Sequence, residues 1–251
     1  MKKKAKKQLK FGLIGRNIDY SFSRNYFSEK FEINHFANCE YKNYDINSIK
    51  DFPKLIAESK GLVGLNVTIP YKEEIIPYLD KVSKKAKKIG AVNCITVSKN
   101  KKLKGYNTDY YGFKKTLQPL LKDHHKKALI LGTGGASKAV AYALQKLKIE
   151  YDFVSRTPDE FQLAYADLTV EIFEEYHIII NTTPIGTHPN IEDCPDLNYN
   201  LFTKKHIAYD LVYNPEETAF LRKAKEQGAK IKNGYEMLVV QAEKAWKIWH
   251  E

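Results

Sequence analysis

Three glycines, Gly132, Gly134 and Gly135, interrupt the segment LILGTGGASKAVAYAL (129–144) between an apolar run and a helical pattern. Glycine allows a tight turn and a close backbone approach to a pyrophosphate, which a helix N-terminus then binds. Ser137 stands where the usual motif has its third glycine. Because a second strand follows within a unit of roughly 30 residues, we predict a dinucleotide-binding loop that includes Ala136.

The end of that second strand, YDFVSRT (151–157), indicates which dinucleotide is bound. An NAD site has an acid here for the ribose 2′-hydroxyl, whereas this strand ends in Ser155, Arg156 and Thr157. A guanidinium and two hydroxyls suit a 2′-phosphate, so we predict NADP. Asp159 and Glu160 follow closely, and the alternative is that one of these carboxylates binds the ribose 2′-hydroxyl of NAD. In that case Arg156 is an ordinary surface residue.

A third group of polar residues lies in GLNVTIPYKEE (64–74). Alternation predicts a strand over 62–69, with Val63, Leu65, Val67 and Ile69 on one face and Gly64, Asn66 and Thr68 on the other. Pro70 ends the strand, and Lys72 is expected to open a helix with acids in its first turn. The stretch therefore offers hydrogen-bonding side chains and an amine to a polar ligand.

Two different patterns of predicted strands and helices, one in each half of the chain, position these groups. The first half of the chain alternates short strands and helices and contains a predicted hairpin around SKNKK (98–102). The second half has short apolar strands such as HIIIN (177–181) between helical segments, which is typical of a doubly wound parallel sheet. NTTPIG (181–186) follows one of these strands, so Thr183 is expected at the ligand-binding edge.

Composition excludes several classes of protein. In 251 residues, 43% hydrophobic, no apolar run approaches the roughly 20 residues that cross a bilayer. The net charge of +11 invites a nucleic-acid partner, but residues 1–10 hold six lysines and no acid, so the rest carries only +5. The three cysteines have no metal-site spacing. Without a signal-peptide apolar region, we expect a cytoplasmic protein that binds anionic small molecules.

Eight segments, in order along nearly the whole chain, resemble the shikimate dehydrogenase family. They are GLIGRNIDYSFS (12–23), NVTIPYK (66–72), GAVN (90–93), GYNTDYYGF (105–113), GTGGASKA (132–139), INTTPIG (180–186), DLVYNPEET (210–218) and NGYEMLVVQ (233–241).

The resemblance implies an α/β protein of two domains. A mixed α/β substrate domain would occupy residues 1–108, with the C-terminal helix 235–251 packed back on it. A Rossmann-like NADP domain would occupy 109–234. The implied activity is reversible, NADP-linked reduction of 3-dehydroshikimate to shikimate in aromatic amino-acid biosynthesis. The expected protein is a monomer or homodimer without a metal, a nucleic acid or a membrane.

The resemblance also implies the role of individual residues. Lys72 matches the catalytic lysine and Asp109 its acidic partner. The matched substrate-binding residues are Ser21, Ser23, Thr68, Asn93, Tyr213 and Gln241. The cofactor-binding residues would be Gly132, Gly134, Gly135, Ala136, Ser155, Arg156, Thr157, Thr183 and Gly234. From the residues alone, Asp109, Ser21 and Ser23 are equally helix N-caps, and Tyr213 and Gln241 are equally core residues.

Three alternatives stay open. The first is a quinate/shikimate dehydrogenase using NAD or both cofactors; quinate differs by a ring hydroxyl at the carboxylate-bearing carbon, where Ser21 and Ser23 would lie. A non-catalytic sensor of the same fold would not need Lys72 and Asp109. A nucleic-acid binder would depend on residues 1–10 and would bind in a salt-sensitive way.

Overall fold

The computed structural model of the chain describes residues 8–19 and 21–251. Most of the lysine-rich start, on which the nucleic-acid alternative depends, lies outside the described residues. The chain divides into two compact units, one of residues 1–108 with 241–251 and one of residues 109–240. The predicted second domain ended at residue 234; the second unit ends at residue 240, inside the last helix.

The first unit is built on a mixed sheet. Its strands are β1 (Leu9–Gly15), β2 (Cys39–Asp45), β3 (Leu62–Val67), β4 (Lys81–Val82), β5 (Cys94–Val97) and β6 (Leu103–Tyr106). Their order is β2-β1-β3-β5-β6-β4, with β1 parallel to β2 and β3, and with β5 antiparallel to β3 and β6. The predicted hairpin is thus confirmed as β5 and β6. The helices are α1 (Phe22–Ile33), α2 (Phe52–Glu58) and α3 (Lys84–Ile89).

The second unit contains a sheet whose six strands all pair in parallel. They are β7 (Lys127–Leu131), β8 (Glu150–Ser155), β9 (Gln162–Ala164), β10 (Ile178–Asn181), β11 (Ile207–Asp210) and β12 (Lys230–Lys232). Its helices are α4 (Asp109–Leu117), α5 (Gly135–Leu147), α6 (Val170–Glu175) and α7 (Ala219–Glu226), and α8 (Tyr235–Trp249) begins here and ends in the first unit. The order β12-β11-β10-β7-β8-β9 makes this the predicted doubly wound sheet, in which ligands bind at the carboxyl ends of the strands.

The last turns of α8 belong to the core of the first unit. Ala242, Ala245, Ile248 and Trp249 recur at helical spacing and are buried with Phe11 and Phe27. The Trp249 ring lies 5.1 Å from that of Phe11, and its indole N–H donates to the Ile95 carbonyl at 3.0 Å. The Trp249 ring is therefore packed against other aromatic rings, and its N–H is hydrogen-bonded, within the first unit.

Two details of the predicted strand 62–69 were wrong. Lys10 pairs with Leu62 but Phe11 pairs with Gly64, so Val63 is an extra residue in a β-bulge. The bulge turns Val63 toward a different core cluster from that of Leu65 and Val67. The strand also ends at Val67, and the Ile69 side chain is 66% exposed rather than buried.

The helix predicted from Lys72 is also absent from the described chain. Residues 70–75 form turns that lead into a short 3-10 segment, Ile76–Tyr78. Pro77 explains the difference, since it has no N–H to donate and its ring opposes a continuing α-helix. Lys72 therefore lies in a turn, where neighbouring backbone groups determine its position.

Four histidines cluster at the amino ends of the parallel strands of the second unit. His124 and His125 precede β7, His177 precedes β10 and His206 precedes β11. The His125 ring accepts from the Lys122 N–H at 2.8 Å and contacts the Lys205 carbonyl at 3.0 Å, which suits the neutral ring. Burial lowers the pKa of His125 to about 4 and also lowers the pKa values of His177 and His206.

This cluster predicts acid sensitivity of the second unit. In the unfolded chain these histidines bind protons near pH 6.5, whereas the folded His125 resists protonation until about pH 4. The contribution of His125 to stability should therefore fall as the pH drops below about 6.5, by at most about 3 kcal/mol. Thermal midpoints of the parent and of His125→Gln between pH 7.5 and 4.5 isolate this contribution, because other titrating groups are common to both proteins. The His125→Gln variant should lose less stability than the parent on acidification, whereas exposed His188→Gln should match the parent.

Among the helices of the described residues, none combines the length and the apolar character needed to cross a membrane.

Candidate functional site

A buried polar cluster lies in the first unit, formed by Tyr41, Asn66, Asn93, Thr108 and Gln241. The Asn93 side-chain oxygen accepts from the Thr108 N–H at 2.6 Å, and its amide nitrogen is 3.0 Å from the Thr108 hydroxyl. Gln241 Oε1 lies 3.2 Å from the same hydroxyl and 3.4 Å from Asn93 Nδ2. Polar side chains at this depth need partners, and the cluster supplies them from three distant parts of the chain.

Asn66 joins this polar cluster from β3. Its Nδ2 donates to the Asn93 carbonyl at 3.3 Å, and its Oδ1 accepts from the Tyr41 hydroxyl at 2.8 Å. Burial raises the pKa of Tyr41 well above its usual value, and a hydrogen bond with the Ser23 hydroxyl acts in the opposite direction. Ser23, Tyr41 and Asn66 are thus linked in a row across α1, β2 and β3.

Ser21 is the N-cap of α1, as the residues alone allowed. Its hydroxyl accepts from the Arg24 N–H at 3.4 Å and lies 3.5 Å from Asn43 Oδ1. One oxygen can accept a second hydrogen bond, so capping does not exhaust this side chain. Ser21 and Ser23 therefore present two hydroxyls at the start of one helix.

Thr68 and Lys72 follow the end of β3. The Thr68 N–H donates to the Ile14 carbonyl at 2.9 Å, and the Lys72 carbonyl accepts from the Val92 N–H at 2.7 Å. These bonds anchor the turn that carries the half-buried Lys72 side chain. Asp109 belongs to the second unit, where it is the first residue of α4 and therefore not its N-cap.

The glycine loop of the second unit leaves open space at a helix N-terminus. Gly134 is the N-cap of α5, with neither a capping side chain among the described residues nor an acid in the first turn. A Cβ built on Gly134 would meet no described atom within 4 Å, so open space borders the backbone at the helix N-terminus. Gly132 has φ +99°, and a Cβ there would lie 2.9 Å from the Thr183 methyl group. Amide donors beside open space are what an anion needs.

The loop after β8 contains both the basic candidate, Arg156, and the acidic candidate, Asp159, for contact with the ribose of the cofactor. Ser155 Oγ accepts from the Thr157 N–H at 3.2 Å, and Arg156 is exposed. The Asp159 carboxylate accepts from the Phe161 N–H at 2.9 Å and from the Gln162 side chain at 2.5 Å. Asp159 therefore stabilises its own loop, which leaves Arg156 as the charged group nearest the end of the strand.

Gly234 and Tyr213 complete the predicted set in the second unit. A Cβ on Gly234 would lie 2.1 Å from the Leu211 carbonyl oxygen, so only glycine allows this approach. The Gly234 N–H donates to the Val212 carbonyl at 3.1 Å, which joins the start of α8 to the segment before Tyr213.

Four buried polar residues have no role predicted from the sequence: Tyr41, Thr108, Asn181 and Asp210. Three of the four lie inside quoted motifs: Thr108 precedes Asp109, Asn181 opens NTTPIG and Asp210 opens DLVYNPEET. Their positions inside these motifs were the signal that could have identified these three residues. No motif contained Tyr41. Within residues 8–19 and 21–251, no group of three or more His, Cys, Asp or Glu side chains is placed to hold a metal ion.

Comparison with known proteins identifies the family. Residues 13–95 match the model of the shikimate dehydrogenase substrate binding domain. A shikimate dehydrogenase (NADP(+)) from Caldanaerobacter subterraneus subsp. tengcongensis is 39% identical over 261 residues, covering 95% of this chain and 90% of the relative.

Solved structures agree with this match over both units. Shikimate 5-dehydrogenase from Thermus thermophilus, in complex with NADP(H) and shikimate, is 32% identical with a TM-score of 0.85, covering 96% of this chain and 93% of that chain. Quinate dehydrogenase from Corynebacterium glutamicum in complex with NAD is 26% identical with a TM-score of 0.84, covering 97% of this chain and 94% of that chain. The chain belongs to the shikimate dehydrogenase family.

Proposed function

We propose that this protein is an NADP-dependent shikimate dehydrogenase that interconverts 3-dehydroshikimate and shikimate. The observation that carries the proposal is the buried polar cluster of the first unit, whose amides and hydroxyls suit a polyhydroxylated ring. The open helix N-terminus at Gly134 supports a dinucleotide in the second unit. Most of the proposed substrate contacts thereby belong to the first unit, and the proposed cofactor contacts belong to the second.

The first unit offers donors and acceptors for each part of the substrate. Ser21 and Ser23, at the start of α1, would bind the substrate carboxylate. Thr68, Asn93 and Gln241 would hydrogen-bond the ring hydroxyls. Asn93 and Gln241 are held by Thr108, so their amides are oriented before the ligand arrives. Preorganised polar groups lower the entropic cost of binding. In the second unit, Tyr213 would contact the substrate.

Lys72 and Asp109 would perform the proton chemistry. NADP, when bound, supplies or accepts the hydride. As the ketone is reduced, Lys72 would give a proton to the oxygen that gains negative charge, and in the reverse direction it would receive a proton from the hydroxyl. The Asp109 carboxylate would orient the Lys72 ammonium. The turn after β3 fixes the Lys72 backbone, which limits the positions that its side chain can reach.

Selection of NADP would depend on Ser155, Arg156 and Thr157. The guanidinium would pair with the 2′-phosphate, and the hydroxyls would add hydrogen bonds. Asp159 is already bonded within its loop, which argues against its binding a ribose as an NAD-type acid. Gly132, Gly135, Ala136, Thr183 and Gly234 would surround the remainder of the dinucleotide.

The test is turnover of shikimate or quinate with NADP or NAD, followed by nicotinamide absorbance. Turnover restricted to shikimate with NADP supports the proposal. Efficient use of quinate or NAD would instead place the protein with the quinate/shikimate dehydrogenases. Binding of shikimate and NADP without turnover of any pair would identify a sensor.

The Tyr41→Phe variant tests whether the Tyr41 hydroxyl positions the groups of the proposed substrate site. Loss of the hydroxyl leaves the buried Asn66 oxygen without its Tyr41 donor, which costs about 1–3 kcal/mol of stability. Because Ser23 and Asn66 lose their common partner, the KM for shikimate should rise about threefold or more. Tyr44→Phe is the control, since half-buried Tyr44 bonds instead to Ser59. Equal KM values in the two variants would contradict a link between Tyr41 and substrate binding.

A further inference from the structure

Three fully buried polar residues, Asn181, Asp210 and Thr218, meet at the carboxyl ends of β10 and β11. Asn181 and Asp210 are the last residues of the two strands and lie opposite each other in the ladder. We refer to the three residues as the edge network. A buried carboxylate is costly unless hydrogen bonds replace its hydration, so the location of Asp210 needs a reason.

Asp210 receives three hydrogen bonds. Its Oδ1 accepts from Asn181 Nδ2 and from the Val212 N–H, both at 3.0 Å, and its Oδ2 accepts from the Thr218 hydroxyl at 2.6 Å. Burial raises the pKa of Asp210 to about 7, while these donors act in the opposite direction. The carboxylate thus holds the ends of two strands and the N-cap of α7 together.

The edge network reaches two of the proposed cofactor residues. Asn181 Oδ1 accepts from the Thr183 N–H at 3.0 Å and from the Thr183 hydroxyl at 2.6 Å. On the other side, Val212 donates to Asp210, and its carbonyl accepts from the Gly234 N–H at 3.1 Å. Asp210 is therefore connected to Thr183 through one residue and to Gly234 through another.

We propose that Asp210 is a positioning residue for the nicotinamide dinucleotide, acting through Asn181 and Val212 on the loops that carry Thr183 and Gly234. The inference rests on the proposed function. It gives the buried carboxylate a purpose that core packing does not supply, because an apolar residue of similar size would avoid the cost of burying a charge. Asp210 would not touch the cofactor itself.

Tyr209 provides a matched comparison, because it precedes Asp210 on β11 and is fully buried. Its hydroxyl lies 2.7 Å from Thr116 Oγ1, which also bonds to the Gly112 carbonyl at 2.9 Å. Tyr209→Phe thus removes a buried hydrogen bond from the same strand without involving the edge network. A purely structural role for Asp210 predicts similar behaviour of variants at the two positions.

The experiment measures the Kd of NADPH by its fluorescence, without substrate, together with the thermal midpoint of each variant. Asp210→Ala should weaken NADPH binding by about tenfold or more, because the Val212 N–H and Asn181 Nδ2 lose their acceptor. Asp210→Asn should remain within about threefold of the parent, since an amide oxygen can still accept both bonds. Tyr209→Phe should lower the thermal midpoint and leave the Kd unchanged.

Equal Kd values for folded Asp210→Ala and Tyr209→Phe would overturn the inference. If Asp210→Ala does not fold, Asp210→Leu carries the test, because an apolar side chain of similar size fills the space yet removes the acceptor of the Val212 N–H and Asn181 Nδ2, with an expected loss of about tenfold or more. An unchanged Kd in Asp210→Leu would then overturn the inference. If the parent protein binds neither NADPH nor NADH, the proposed function and this inference both fail. If the parent binds NADPH normally, a negative result with the variants counts against the role of Asp210 alone.

Discussion

Lys72→Ala is expected to lower kcat by about 10²–10⁴-fold, the usual contribution of a positioned proton donor or acceptor. The affinity for shikimate should change far less, because the proposed binding groups Asn93 and Gln241 are hydrogen-bonded to Thr108 and keep these partners when Lys72 is replaced. Hydride transfer to the ketone creates charge on an oxygen, and without the ammonium that charge has no immediate proton source. The loss should therefore appear in kcat rather than in KM.

Steady-state turnover and calorimetric shikimate binding separate the two effects. Lys72→Arg keeps a positive charge but gives up its proton with difficulty, so it should stay well below the parent in kcat. Lys54→Ala, an exposed lysine of the same unit, controls for loss of charge. A Lys72→Ala enzyme within about fivefold of the parent kcat would refute the proton-transfer role, given the contribution expected of such a group.

Gly234→Ala should both destabilise the protein and abolish dinucleotide binding. The new Cβ would lie 2.1 Å from the Leu211 carbonyl oxygen, a backbone atom that cannot rotate away. The Leu211 N–H is bonded to the Asn181 carbonyl at 2.9 Å, so relief would require moving the end of a buried strand. Overpacking of this kind costs about 1–3 kcal/mol or more.

Gly134→Ala is the matched comparison, because its Cβ would enter open space. Thermal stability should change by no more than about 1 kcal/mol, the usual effect at an N-cap. NADPH binding should nevertheless weaken by about tenfold, since the methyl group would occupy the proposed pyrophosphate space. Thermal denaturation and fluorescence titration of both variants test this contrast. Normal NADPH binding by Gly134→Ala would argue against that loop as the phosphate site.

Much of the second unit could be predicted because its signals are local. The glycines at 132, 134 and 135 stand between an apolar strand and a helix, and near-continuous apolar runs indicate strands buried on both faces. These patterns depend on residues a few positions apart, and the structure has the parallel sheet that they predict. The ordered motifs along the chain indicated the family for the same reason, since each motif is a short contiguous segment.

The errors in the first unit have a different cause. The bulge at Val63 follows from its pairing with β1, which lies about fifty residues earlier and leaves no mark in the alternation of β3 itself. Pro77 opposes the α-helix that was expected to begin at Lys72. Because Pro77 is visible in the sequence, that error was avoidable. The exposure of Ile69 depends on where the ladder with β1 stops.

Sequence alone thus determined the family, the parallel sheet and the residue types available for chemistry, because each is encoded within short segments. Tertiary structure decided which of these residues share hydrogen bonds. Asn93 and Gln241 are 148 residues apart, Tyr41 reaches Asn66 across the intervening strand β1, and Asp210 meets Asn181 through strand register. Such contacts arise only when distant segments pack, and the polar groups that are buried in this way need hydrogen-bond partners.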